Sequence, residues 1–151
     1  GEEPKAAKKR IMLTGILADA PKLLAIIERN GLQIACDDVA ACSRQYRTDV
    51  PEDMEPLEGL AAKFAAMDNC SVLYDADKKR VDKIVQDAKA AGAGGVIVVL
   101  TKFCDPEEFD CPLIKRACEA AGLACIVVEA DRQMENYEQA ATMIEAFAEL
   151  V

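Results

Sequence analysis

Short β-rich runs alternate with helical patterns along almost the whole chain, and this alternation limits the fold more than any other feature. Residues 10–17 (RIMLTGIL) read as a first strand. Asp19, Ala20 and Pro21 open a helix, with proline early, where its missing N–H does no harm. Leu23, Ile26 and Ile27 give that helix an apolar face, and Asn30-Gly31 ends it. Residues 32–36 form a second strand that closes on Asp37-Asp38. Residues 39–55 show no clean period and read as a long loop with room for a helical turn. Leu57, Leu60, Ala61, Phe64 and Met67 follow helical spacing, as do Val81, Ile84, Val85 and Ala88, whose helix ends near Ala91-Gly92. Residues 95–101 (GVIVVLT) are the most apolar strand and take a central place. Asp105-Pro106-Glu107-Glu108 starts a helix that runs to Ala121-Gly122. Residues 123–129 are the fourth strand, and Ala140, Met143, Ile144 and Phe147 mark a final helix.

Strands separated by helices imply a parallel sheet covered on both faces. The expectation is an α/β fold: a flavodoxin-like, four-stranded parallel sheet in the order 2-1-3-4. Residues 1–9 read as a polar tail and residues 10–151 as one domain. Ligands in such sheets bind beyond the carboxyl ends of the strands, at the switch in strand order. That edge collects Asp37-Asp38, Lys102-Phe103-Cys104 and Glu129 to Asp131.

Seven cysteines and no histidine restrict the chemistry. An odd count forbids a fully paired intrachain framework, and the cysteines fall inside α/β elements, so a reducing, cytoplasmic setting is expected. Without histidine there is no Ser–His or Cys–His dyad and no His-ligated zinc. A metal would have to use thiolate or carboxylate, which suits iron–sulfur or zinc. The net charge of −9 disfavours a nucleic-acid partner. No apolar run approaches the ~20 residues of a membrane span, and the polar opening GEEPKAAKKR carries no signal-peptide core.

Cys104 follows the central strand and precedes a helix start, where backbone N–H groups favour a thiolate or a metal-bound sulfur. Position alone also allows a small buried residue there. Cys111, Cys118 and Cys125 recur every seven residues without close metal-ligand spacing, and packing is the favoured reading for them. Cys42, in a polar loop, is the most exposed candidate of the rest. Asp37 and Asp38 fit polar-ligand or acid–base work, and equally a turn cap. Arg44 fits an anion contact or a plain surface charge.

Several segments together resemble the 2-hydroxyacyl-CoA dehydratase D-component family, which includes benzoyl-CoA reductase subunits. They are RIMLTGIL, ACDDVAACSRQYRTDV, GVIVVLTKFCDPEEFDCPLIK, GLACIVVEAD and EQAATMIEAFAEL. The most specific is KFCDPEE after an apolar strand, followed by a strand ending in Glu129-x-Asp131. The spacing of Asp37, Asp38 and Arg44 also looks like the family. The resemblance implies that the chain is the C-terminal domain of a larger subunit and is inactive alone. It implies a [4Fe–4S] cluster in the full subunit, held by two cysteines of an N-terminal domain and by Cys104. It further implies a second dehydratase subunit, an ATP-dependent activator that donates an electron, and an acyl-CoA substrate. The implied reaction, a lyase step, removes water from an (R)-2-hydroxyacyl-CoA through a ketyl radical anion. Asp37, Asp38, Arg44 and Glu129 are the residues expected at the substrate. A benzoyl-CoA reductase-type subunit, or a non-catalytic module acting with the activator, is the rival expectation. The isolated chain is expected to fold without holding a stable cluster.

Overall fold

The computed structural model describes residues 9–131 and 133–151. Its elements, in chain order, are β1 (Lys9–Gly15), α1 (Pro21–Arg29), β2 (Leu32–Val39), α2 (Ser43–Tyr46), α3 (Pro56–Ala66), α4 (Lys79–Ala90), β3 (Gly95–Thr101), α5 (Asp105–Ala120), β4 (Ala124–Ala130) and α6 (Glu138–Leu150). The four strands form one parallel sheet in the order β2-β1-β3-β4, as the sequence predicts. β1 and β3 are the central pair, with Ile11 beside Gly95 and Gly15 beside Val99.

Successive side chains of a strand point to opposite faces, and this splits the core into two layers. Ile11, Leu13, Ile97 and Val99 pack with Leu23, Ile26 and Ile27 of α1 and with Ile144 and Phe147 of α6. Met12, Val96 and Val98 pack on the other face with Val81, Ile84 and Ala88 of α4 and with Ile114 and Cys118 of α5. β3 is apolar from Gly95 to Leu100 because a central strand is covered on both sides.

Several boundaries move. The polar tail loses Lys9, which begins β1 and donates from Nζ to the Ala148 carbonyl; the rest of that segment lies outside the described residues. β2 continues through Asp37 and Asp38 to Val39, because the backbone stays paired with β1 as far as Gly15. α1 ends at Asn30 as expected, and Gly31 takes the left-handed φ of 72° that the chain reversal needs.

The helix over residues 56–66 forms, but its apolar stripe is not core. Leu57 is 80% and Phe64 69% exposed, whereas Gly59 on the opposite face is buried against Val50 and Met54. Helical period fixes which residues share a face; it does not fix what covers that face. No helix among the described residues is long and apolar enough to cross a membrane.

Candidate functional site at the carboxyl edge of the sheet

β3 ends at Thr101, and the chain then turns sharply into α5. The Cys104 N–H donates to the Thr101 carbonyl at 3.0 Å, closing a four-residue turn. Phe103 sits in that turn at φ 66°, although it is not glycine. Cys104 is the N-cap of α5 and makes no side-chain capping bond; it is half-buried, and among the described residues its thiol has no hydrogen-bond partner. Among the described residues, no group of three or more cysteines, aspartates or glutamates could hold a metal ion.

Two crevices open along the same edge. One, of about 460 Å³, lies between the ends of β1 and β3 and is lined by Leu17, Ala18, Val99, Thr101, Met134 and Tyr137, with Asp19, Lys22 and Asp131 among its polar groups. The second, of about 640 Å³, is lined by Lys102, Glu129, Met134, Asn136 and Met143. Glu129 is thus exposed on the second crevice. Cys104 lines neither of these two; it stands apart from them at the head of α5.

Asp37, Asp38 and Arg44 do come together, but each does something different. One carboxylate oxygen of Asp37 accepts the N–H groups of Val39 (3.1 Å) and Ser43 (3.2 Å), so it caps the turn into α2. Its neighbour Asp38 is only 1% exposed and gathers three guanidinium groups. Its carboxylate takes Arg44 at 3.0 Å and Arg80 at 3.2 Å on one oxygen and Arg47 on the other. Thr14 of β1 donates to it at 3.1 Å. Arg44, 3% exposed, also donates to the carbonyls of Asp38 (2.7 Å) and Gly15 (3.2 Å), and to the Cys70 sulfur at 3.2 Å.

Arg80, Glu107 and Asp110 complete this cluster; the sequence marks Glu107 only as part of a helix start and neither Arg80 nor Asp110 as a site residue. Arg80 pairs with Glu107 at 3.0 Å and Asp110 at 3.2 Å, and donates to Thr14 at 2.9 Å. Burial works against its charge, but Glu107, Asp38 and Asp110 outweigh that and raise its pKa. Ser71 donates to Glu107, and Lys78 reaches Asp110 at 2.8 Å. A sequence signal did exist. Arg80 is in phase with Ile84 and Ala88, and Glu107 and Asp110 are in phase with Cys111, Ile114 and Cys118. Charges that fall on the buried stripe of a helix must find partners there.

Cys111 and Cys118 pack in the core as the seven-residue spacing suggests, and Cys42 is exposed. The neighbouring Cys118 thiol, together with burial, raises the Cys125 thiol. Burial, reinforced by the Glu107 charge, raises the Cys111 thiol from 9.0 to about 11. The unfolded chain releases this proton at lower pH than the folded chain, so stability falls as pH climbs through that window. Between pH 9.0 and about 11 this group should steadily remove stability. Urea midpoints followed across that range should fall less steeply for Cys111→Ala; parallel slopes would remove this thiol from the account.

The sequence matches the profile of the 2-hydroxyglutaryl-CoA dehydratase D-component family over residues 1–151. It is 51% identical over 148 residues to the (R)-phenyllactyl-CoA dehydratase beta subunit of Clostridium sporogenes, covering 97% of this chain and 39% of that one. It is 36% identical over 144 residues to the beta subunit of (R)-2-hydroxyglutaryl-CoA dehydratase from Acidaminococcus fermentans, covering 93% and 38%. A benzoyl-CoA reductase subunit of Thauera aromatica is 28% identical over 122 residues, covering 78% and 31%. The chain therefore spans about two-fifths of the length of the dehydratase subunits it matches.

Proposed function

The chain belongs to the 2-hydroxyglutaryl-CoA dehydratase D-component family, and from that premise we propose that it is the cluster-supporting α/β domain of a radical 2-hydroxyacyl-CoA dehydratase subunit. The observation that carries the reading is the uncommitted Cys104 thiol just past the end of the central strand β3. In this reading Cys104 supplies one thiolate to a [4Fe–4S] cluster, and the remaining cysteine ligands come from the part of the subunit outside this chain. Such a cluster supplies one-electron transfer and a Lewis-acidic iron. The reaction is loss of water from an (R)-2-hydroxyacyl-CoA, with a second subunit and an ATP-dependent activator as partners.

The residues of this chain divide the remaining work. Cys104 holds its sulfur beyond the sheet edge on a backbone tied to Thr101. Glu129 and Lys102 face a crevice where they can meet polar groups of a ligand or partner. Asp38 and Arg44 are buried and bonded to each other, so their part is to support the edge from beneath.

The test is anaerobic loading with iron and sulfide of two proteins, this chain and a longer subunit that includes it. The longer subunit should bind about four irons, and Cys104→Ser should lose them. This chain alone should fold and bind far fewer. A longer subunit that keeps its iron after Cys104→Ser would end the assignment. A chain that binds a full complement alone would place the ligands elsewhere.

A further inference from the structure

Resting on that reading, we propose that Glu107, clamped by Arg80 and Ser71, is a positioning residue that holds the backbone of Cys104 in place. Glu107 is the third residue of α5 and follows Cys104 by three positions. An acid there commonly reaches back to the N-cap amide. Here that amide is taken by Thr101, and the Glu107 side chain, 0% exposed, turns into the protein instead. It accepts from Ser71 and from Arg80, and Arg44 lies 3.7 Å away. One turn further along α5, Asp110 is gripped by the same Arg80 guanidinium and by Lys78. The first two turns of α5 are thus fastened at two carboxylates to α4 and to the segment before it.

The bend that this fastening holds is not a relaxed one. Phe103 occupies the left-handed region at φ 66°, which costs a non-glycine residue about 1–2 kcal/mol. Its ring is 87% exposed, so burial within the domain does not repay that cost. The Glu108 N–H donates to the Cys104 carbonyl at 3.0 Å, so a shift of the first turn would move Cys104 with it. Stability alone is a poor reason for so many buried charges, since well-packed apolar residues often serve as well or better. Direction is a better one: paired charges fix a single arrangement of α4 and α5, and the thiol at the head of α5 is left uncommitted.

The test uses amide hydrogen exchange on the chain. Glu107→Gln keeps the shape and the Ser71 bond but weakens the grip of Arg80. Exchange at the Cys104 and Glu108 amides should rise about tenfold, while the β1 and β3 amides stay as they were. Ser71→Ala, a milder change, should give a smaller rise at the same two amides. In the longer subunit loaded with iron and sulfide, Glu107→Gln should keep the iron content but shift and broaden the paramagnetic resonance of the reduced cluster. Unchanged exchange at those amides, or a rise spread evenly over the sheet, would overturn the proposal. So would an unaltered resonance. If Glu107→Gln does not fold, the localised rise in Ser71→Ala decides. The exchange arm needs no metal, so loss of the cluster reading through Cys104→Ser leaves it standing as a separate result.

Discussion

Asp38→Ala should cost about 3–5 kcal/mol of folding stability, because it strips the shared carboxylate from three guanidinium groups in a buried site. Asp38 and Arg44 have side chains 1% and 2% exposed, and Arg80 3%. Arg80 would keep Glu107 and Asp110, and Arg44 would keep its bonds to two carbonyls. The loss should therefore stop short of complete unfolding. Asp38→Asn, which keeps an acceptor but no charge, should fall between the parent and Asp38→Ala. Asp77 offers the control. It pairs with Lys79 at 3.9 Å with side chains 78% and 70% exposed, and such surface pairs contribute little. Urea unfolding with slopes compared among the four proteins measures the effect. An Asp38→Ala midpoint as close to the parent as that of Asp77→Ala would mean that the buried network contributes nothing net.

The same network marks where sequence reading stops. Alternating runs are enough for sheet order, because a parallel βαβ connection leaves few choices once strands and helices are counted. The helix ends at Asn30 and Ala121 are equally plain, since turn chemistry is local. Asp37 and Asp38, adjacent and chemically identical, look alike in the sequence. Strand alternation sends one to the turn and the other into the core, and which is which depends on the register with β1. Arg80 and Glu107 lie 27 residues apart, and nothing local says that they meet. The stripe of Leu57, Leu60 and Phe64 misleads in the opposite direction. A period of 3.6 reports a shared face, and here that face looks outward instead of into a core. Cys104 is legible for another reason: its place depends on a strand end and a helix start, both written in neighbouring residues.

Gly15→Ala should be more damaging than Asp38→Ala, leaving little or no folded chain at ordinary temperature. Gly15 is the last residue of β1 and has φ +150°, a conformation that side-chain-bearing residues rarely adopt. A Cβ there would lie 2.3 Å from the carbonyl oxygen of Val99 on β3. That neighbour is backbone in the central strand pair, so it cannot rotate away as a side chain would. Relief requires β1 and β3 to separate at the carboxyl edge, beside the crevice and at the strand end that leads to Cys104. Separation would also disturb the Gly15 carbonyl, which accepts from the Ala40 N–H at 2.9 Å and from Arg44 at 3.2 Å. Strain, a backbone clash and two weakened hydrogen bonds together should exceed about 4 kcal/mol, the upper end of single-residue effects. Gly31→Ala is the informative comparison. Gly31 also has a positive φ, but nothing lies within 4 Å of its added Cβ, so only the conformational penalty of about 1 kcal/mol should appear. Thermal melts followed by circular dichroism would separate the two. A Gly15→Ala chain that melts within a few degrees of Gly31→Ala would show that the sheet edge yields more easily than its backbone contacts imply.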